Sequence, residues 1–98
     1  MITTKQRATL RSLANKLTPS MQIGKDGLNE NSLTQISQML EANELIKIKV
    51  LQNSDFSAKE LCSQILEEVD CEPVQVIGNT IVLYAYSHKK NIKHIQLD

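Results

Sequence analysis

Three segments of the chain place apolar residues at the spacing of an amphipathic helix. The first covers residues 4–17 and should end before Pro19, because proline cannot continue a helix. Thr3 precedes it and has a glutamine three residues later, the spacing of a capping box. The second covers residues 30–42 behind Asn29, a residue type that favours the N-cap position. The third follows Ser57, which has a glutamate three residues later, the spacing of a capping box. The pattern therefore predicts three helices.

Extended segments separate the predicted helices. Residues 21–23 form a short apolar strand, and residues 45–51 alternate between apolar side chains and two lysines, Lys47 and Lys49. This alternation indicates a strand with one buried face and another that is at least partly open to solvent.

The end of the chain has two further strand patterns, at residues 74–77 and 81–86. They flank residues 78–80, a turn that contains a glycine, and so predict a hairpin. Residues 87–98 are polar and rich in lysine, and we expect them to form a loose basic tail.

The elements follow in the order helix, strand, helix, strand, helix, strand, strand. Strands that alternate with helices favour right-handed crossovers and a parallel or mixed sheet. We therefore predict an α/β fold, a two-layer sandwich in which the helices pack on a mixed four-stranded sheet. A chain of 98 residues fits one domain, which we assign to residues 1–86, followed by the tail at residues 87–98.

Composition narrows the classes of function. With one Phe, two Tyr and no Trp, the chain has few side chains for an aromatic platform that stacks bases or sugars. Cys62 and Cys71 lack the spacing of a zinc or redox site, so we expect free thiols, with Cys62 in the core, and no metal or other cofactor. No segment has the pattern of a membrane span or a signal peptide, and we expect a cytoplasmic protein.

Charge is balanced overall but unevenly distributed. Residues 1–25 contain five basic side chains and no acidic one, whereas residues 55–72 contain six acidic side chains and one lysine. Arg7 and Arg11 lie four residues apart and share one face of the first helix, where a polyanion would be attracted. Taken alone, such a run of charge is better explained by a solvated helix face.

A four-residue turn bracketed by glycines follows the first strand, at Gly24, Lys25, Asp26 and Gly27. Glycines permit positive φ and let a ligand approach the backbone without meeting a Cβ atom. The next element is a helix N-terminus, which favours anions, so a backbone phosphate of a nucleic acid fits this place. An ordinary turn with an Asp-Gly pair has the same pattern, and the motif is too short for a nucleotide-binding P-loop.

Several segments in combination resemble a known family, the small bacterial YhbY-type proteins that consist of one RNA-binding CRM (chloroplast RNA splicing and ribosome maturation) domain. The resemblance covers nearly the whole chain. It is carried by Lys5-Gln6-Arg7 with Leu10 and Leu13-Ala14, by Ile23-Gly24-Lys25-Asp26-Gly27-Leu28, by residues 44–50, by Val74-Gln75-Val76-Ile77-Gly78 and by Val82-Leu83-Tyr84.

The resemblance implies a sandwich related to the C-terminal domain of a bacterial translation initiation factor. It also implies binding to RNA in precursors of the large ribosomal subunit, with a GxxG loop at residues 24–27 and a basic surface on the first helix and on Lys47 and Lys49. This chain departs from the family pattern at Asn79 and Ala85, where the family often or usually has basic residues.

The sequence as a whole predicts a monomeric RNA-binding protein that associates with ribosomal precursor particles, with neither a small-molecule substrate nor a membrane as partner. The alternative is a protein-binding adaptor that uses the acidic face of the third helix or the open sheet face. The predicted RNA-binding residues are Gly24, Lys25, Asp26, Gly27, Arg7, Arg11, Lys47 and Lys49, with Lys89 and Lys90 in place of the basic residues that the last hairpin lacks.

Catalysis is not expected from this sequence. His88 and His94 lie in the polar tail, where no rigid element presents a serine, cysteine or carboxylate beside them, and we expect both to be solvated. Tyr84 and Tyr86 share one strand face and fit either core packing or the stacking of a base.

Overall fold

The computed structural model describes residues 2–89, 92 and 94–97. The order of its elements is the predicted one, and the α/β class is confirmed. The helices are α1 (Thr4–Ala14), α2 (Glu30–Asn43) and α3 (Ala58–Glu68), and the strands are β1 (Met21–Ile23), β2 (Leu45–Val50), β3 (Glu72–Ile77) and β4 (Thr80–Tyr84).

The four strands form the predicted mixed sheet, in the order β1-β2-β4-β3. Strand β1 pairs in parallel with β2, which places Ile23 opposite Val50. The other two pairs are antiparallel. The edge strand β3 has an irregularity between Pro73 and Gln75, at which its register against β4 shifts.

The helix N-termini are formed by the predicted caps. Thr3 and Ser57 each complete a capping box with the residue three positions later, and the side chain of Asn29 accepts a hydrogen bond from the N–H of Ser32. Helix α1 ends at Ala14, three residues earlier than predicted. The reason is a tighter turn, in which the N–H of Leu17 donates to the carbonyl of Ala14 only three residues back.

The main core lies between one face of the sheet and helices α2 and α3. Cys62 is 5% exposed and belongs to this core, as predicted. Its fully buried members come from both helices and from strands β1, β2 and β4: Ile36, Leu61, Ile65, Ile23, Ile46, Ile48, Ile81 and Leu83. The predicted sandwich of helices on a sheet is therefore formed by this face.

The second face of the sheet is covered in part by α1. Leu10 and Ala14 are buried in a separate cluster with Leu45, Val82 and Tyr84, which point away from the main core. Beyond the end of this helix the same face stays open, since Lys49 is exposed. The open face that the alternation of β2 predicts therefore exists, but α1 narrows it to one end of the sheet.

The segment after β4 is docked, and the expectation of a loose tail was wrong for its described residues. Ile95 packs against the second cluster, and the backbone N–H groups of Ser87 and Ile95 donate to the buried carboxylate of Glu44 at 2.7 and 2.8 Å. Nδ1 of His94 lies 2.7 Å from the same carboxylate, so this histidine is not the solvated side chain that we expected. The assignment of residues 1–86 to a domain and of residues 87–98 to a tail remains a prediction. The described tail residues nevertheless contact the domain.

Candidate nucleic-acid interface

The GxxG loop leaves the sheet at the carboxyl end of β1. The N–H of Gly27 donates to the carbonyl of Gly24 at 3.2 Å, which closes a four-residue turn. Lys25 and Asp26 at its tip are both exposed. Sequence and structure therefore agree on a turn that presents one ammonium and one carboxylate group to solvent ahead of α2.

The two glycines of this loop serve different purposes. Gly27 has φ of +71°, and a Cβ atom there would lie 3.0 Å from the ring of Phe56, so a side chain would strain the backbone and displace that ring. Gly24 is not among the residues with positive φ, and a Cβ atom there would meet only Leu51, at 3.9 Å. The fold favours glycine at position 27, whereas at position 24 glycine leaves room above the backbone.

Beside the loop, one row of residues crosses the open end of the sheet. Gln22 pairs with Lys49, Lys49 with Thr80, and Thr80 with Ile77, so one residue of each strand is aligned on the face that α1 leaves uncovered. Gln22 and Lys49 are exposed, and Ile77 is 60% exposed. The row adjoins the loop because Gln22 lies two residues before Gly24.

Lys49 is the one residue of this row that was predicted from the sequence to bind RNA. Gln22, Thr80 and Ile77 carry no motif of their own, and their alignment depends on strand pairing between segments distant in the chain. The alternation in β2 was the only signal for this face. An amide, an ammonium and a hydroxyl group in one row provide donors and acceptors for base edges or phosphates.

Lys47 lies on the same face but has a partner within the fold. Its Nζ atom donates to the carbonyl oxygens of Ala14 and Leu17, at 3.3 and 3.4 Å. These carbonyls follow the last turn of α1, where the helix dipole favours a cation. Lys47 therefore joins β2 to α1, and its ammonium group remains half-buried at the border of the open face.

Of the two arginines of α1, one is hydrogen-bonded within the fold and the other is exposed. Arg7 is half-buried and its Nε atom donates to the carbonyl of Pro73 in β3 at 3.2 Å. Arg11, one turn later, is exposed. Arg11 therefore has the freer guanidinium group, while Arg7 attaches α1 to the edge strand.

Lys89, the tail lysine that the structure describes, does not join this surface. Lys89 is exposed and its N–H donates to Ser87, which itself contacts Glu41 near the start of β2, whereas the GxxG loop lies at the end of β2. Lys90 lies outside the described residues. The structure thus brings the GxxG loop and Lys49 together, with Lys47 and α1 at the border and Lys89 at the opposite end of the sheet.

The basic side chains of the open face have no acidic partner among residues 2–89, 92 and 94–97. In that part of the chain the single ion pair joins His94 and Glu44. The same residues contain no group of three potential metal ligands, and none of their helices is long and apolar enough to cross a membrane. The charges of Lys25 and Lys49 are therefore available to an external anion.

The two tyrosines have separate environments. Tyr84 is 7% exposed and belongs to the second cluster, so core packing is the correct interpretation for it. Burial, followed by the nearby charges of Glu44 and Tyr86, raises the pKa of its phenol. Tyr86 is 56% exposed, lies beyond β4 and stacks on the ring of His94 with 4.4 Å between ring centroids. It stands among the tail residues, away from the GxxG loop.

A family model and two related proteins match this sequence over most of its length. Residues 2–85 match the model of the CRS1 / YhbY (CRM) domain family. The Bacillus subtilis protein named "Probable RNA-binding protein YqeI" is 46% identical over 97 residues, covering 99% of both chains. A Haemophilus influenzae protein named "RNA-binding protein" is 38% identical over 93 residues, covering 94% of this chain and 93% of the relative.

A solved structure gives the same result in three dimensions. The solution structure of a hypothetical protein from Staphylococcus aureus, described as a candidate RNA-binding protein, is 48% identical and superposes with a TM-score of 0.78 over 100% of both chains. The family match, the two relatives and the shared fold all cover nearly the full length. The chain therefore belongs to the CRS1 / YhbY (CRM) domain family.

Proposed function

We propose that this protein binds RNA by holding the phosphate backbone at the GxxG loop and on the adjoining open end of the sheet. The observation that carries the proposal is the juxtaposition of an unobstructed Gly24, an exposed Lys25 and the exposed Lys49 in one place. A backbone can approach Gly24 closely, and the two ammonium groups neutralise neighbouring phosphates. The relatives named as RNA-binding proteins support the same partner.

The RNA in this proposal is a precursor of the large ribosomal subunit, and the protein acts in the cytoplasm as a non-enzymatic assembly factor. The family resemblance supports this target. Of the three aromatic residues, Tyr84 is buried and Tyr86 is distant from the loop, so Phe56, 36% exposed beside Gly27, is the one ring near the site and the surface lacks a platform of several rings. Recognition then depends on RNA shape and on hydrogen bonds from Gln22, Lys49 and Thr80, and less on stacked bases.

The direct test is fluorescence anisotropy with labelled fragments of precursor large-subunit RNA, measured over a range of salt concentrations. Gly24→Val places a branched side chain where the RNA backbone should lie, in space that the fold leaves open. Lys25→Ala/Lys49→Ala removes two exposed charges. Lys89→Ala is the matched control, because Lys89 is exposed and lies at the opposite end of the sheet from the loop.

We expect Gly24→Val to reduce affinity about tenfold or more through loss of close backbone approach. The double lysine variant should weaken binding to all fragments and lower the salt slope by about 1.4, the value for two contacts to a single strand. The Lys89 control should change neither quantity by a comparable amount. Equal affinity of Gly24→Val and the unchanged protein, with both correctly folded, would remove the loop from the site.

Association with ribosomal particles is tested separately by sedimentation of a cell lysate through a sucrose gradient at low and high salt. Salt-sensitive comigration with large-subunit precursors that is lost in Lys25→Ala/Lys49→Ala supports the proposed target. If the protein stays with the small proteins at the top of the gradient at both salts, stable association with the particle is excluded.

A further inference from the structure

A groove of about 480 Å³ opens on the other side of the molecule, between α2, the end of α3 and the segment after β4. Helix α2 lines it along one continuous face, with residues at three- and four-residue spacing from Glu30 through Leu33 and Ser37 to Glu41. Glu68, Val69 and Asp70 line it from the end of α3. A second cavity of about 260 Å³ shares Asp70 and Tyr86 and extends the groove to Glu72.

Acidic side chains dominate the charge of this groove, whose lining also includes the imidazole of His88. Four carboxylates line the larger cavity, and none of its lining residues described by the structure is a lysine or an arginine; these acids are Glu30, Glu41, Glu68 and Asp70. No ion pair of the described residues involves any of the four. The groove therefore attracts cations and repels nucleic acid, which makes it electrically distinct from the surface around Lys49.

The position of two of these acids is unfavourable for the fold itself. Glu68 is the last residue of α3 and Asp70 lies just beyond it, and the last turn of this helix contains no basic residue. A helix C-terminus has negative potential, so carboxylates there are repelled by the helix dipole and by one another. A cation bound between Glu68 and Asp70 would reduce both repulsions, and local arrangements that cost stability are typical of functional sites.

The groove also offers apolar surface and length. Leu33 and Val69 are partly buried in its walls, and Tyr86 at its border is 56% exposed. The helical rise over the eleven steps from Glu30 to Glu41 makes the α2 wall of the groove about 16 Å long. That length accommodates about five residues of extended chain.

We propose that this groove binds an extended basic segment of a partner protein. Lysine or arginine side chains of that segment contact Glu68, Asp70 and Glu41, while intervening apolar side chains contact Leu33, Val69 and Tyr86. The groove lies on the layer of α2 and α3, so its occupant leaves Lys49 on the other sheet face uncovered. The proposal goes beyond the binding of RNA and does not depend on it.

The experiment uses the full chain and a fluorescein-labelled six-residue peptide of alternating lysine and leucine, at low ionic strength. A peptide with glutamate in place of lysine controls for apolar binding. Glu68→Gln/Asp70→Asn removes two charges of the groove with little change of shape. Asp55→Asn/Glu67→Gln is the matched control, because both residues are exposed acids, one before α3 and one in its last turn, and neither lines the groove. Thermal melting confirms that each variant is folded.

We expect the groove variant to bind the basic peptide about five- to tenfold more weakly at low salt, as the loss of two exposed ion pairs predicts. The control variant and Lys25→Ala/Lys49→Ala should bind it as the unchanged protein does. Equal losses in the groove and control variants would overturn the proposal in favour of nonspecific charge. A concentration-dependent dimer in sedimentation that the groove variant abolishes would also overturn it, since a second copy would then occupy the groove.

Discussion

The carboxylate of Glu44 and the imidazole of His94 lie 2.7 Å apart, although fifty residues separate them in the chain. Glu44 is fully buried at the junction of α2 and β2, with φ of 65°, and the N–H groups of Ser87 and Ile95 donate to the same carboxylate. Burial raises the pKa of this carboxyl group, but the hydrogen bonds from Ser87, His94 and Ile95 outweigh it, and the net pKa is lowered. One charged side chain thus holds the end of the chain in place.

Stability should therefore depend on the ionisation of Glu44. A group whose pKa is lowered by folding contributes stability above its ordinary value of 4.5, and that contribution is lost as the pH falls through the folded pKa. Glu44→Gln should cost about 2 kcal/mol near neutral pH, because its amide places a donor against backbone N–H groups. The difference in melting temperature from the unchanged protein should shrink on acidification below pH 4.5. Glu41→Gln, nearby and half-buried, is the control, and an equal effect there would contradict the assignment.

Removal of residues 87–98 should destabilise the domain, contrary to what a loose tail would imply. The truncation leaves the buried carboxylate of Glu44 without its donors and uncovers the second cluster where Ile95 packs. We expect a loss of about 3 kcal/mol or more, typical of an unpaired buried charge, and a correspondingly lower urea midpoint. A truncated protein with an unchanged midpoint would show that the docked segment contributes no stability.

The two glycines of the GxxG loop should respond differently to alanine. Gly27→Ala should lose about 1 to 2 kcal/mol, since an L-residue is strained at positive φ. The ring of Phe56, 3.0 Å from the new Cβ atom, would have to move as well. Gly24→Ala should stay within about 0.5 kcal/mol of the unchanged protein. Urea unfolding of both variants measures the difference, and equal losses would contradict the separate roles assigned to the two positions.

Substitution of Lys47 should affect stability and substitution of Lys49 should affect RNA binding, although both side chains lie on the same face of β2. Lys47→Met loses the hydrogen bonds to the carbonyls of Ala14 and Leu17 and should reduce stability by about 0.5 to 1 kcal/mol. Lys49→Met should leave stability unchanged and weaken RNA binding instead. Chemical denaturation and RNA titration of the two variants separate these effects. Loss of stability in Lys49→Met alone would reverse the assignment.

The cysteines should be unreactive in the folded protein. Burial, then the charges of Cys62, Asp70 and Glu72, raises the pKa of Cys71 to about 12. Burial also raises the pKa of Cys62. At pH 8 only about one Cys71 thiol in ten thousand is then a thiolate, the form that alkylating reagents attack. Mass spectrometry should show slow labelling by iodoacetamide that denaturant accelerates, and rapid native labelling of Cys71 would disprove its burial.

The buried thiol of Cys62 gives a further comparison. Cys62→Ser places a hydroxyl group in the main core and should cost about 1 to 3 kcal/mol. RNA affinity of the folded variant should not change, because this core lies beneath α3 and away from the open sheet face. If the folded variant loses RNA affinity as well as stability, the core and the interface are coupled.

Local patterns in the sequence were sufficient to predict most of the fold. The capping boxes at Thr3 and Ser57, the N-cap at Asn29 and the alternation in β2 depend on residues near one another in the chain, and each is present in the structure. What the patterns did not predict depends on distant partners. The docking of the tail requires Glu44 to be buried, and a glutamate between a helix and a strand has no sequence signal for burial.

In the candidate site, too, contiguous motifs were predicted from the sequence and contacts between distant residues were not. The GxxG loop is a contiguous motif and was identified from the sequence, as was Lys49. The row that joins Lys49 to Gln22 and Thr80 follows from strand pairing, and the engagement of Lys47 with the end of α1 follows from the packing of that helix on the second sheet face. Charge alone does not distinguish a lysine available to RNA from one used by the fold.

The contact between Arg7 and the carbonyl of Pro73 has a consequence for association between molecules. Strand β3 lies at the edge of the sheet, where unpaired backbone groups can add a strand from another chain and begin aggregation. In its first half, proline supplies no N–H, the register is interrupted before Gln75, and the guanidinium of Arg7 occupies one carbonyl. Intermolecular strand pairing along β3 is thereby restricted to the stretch around Val76 and Ile77, so the first half of this edge resists fibril growth.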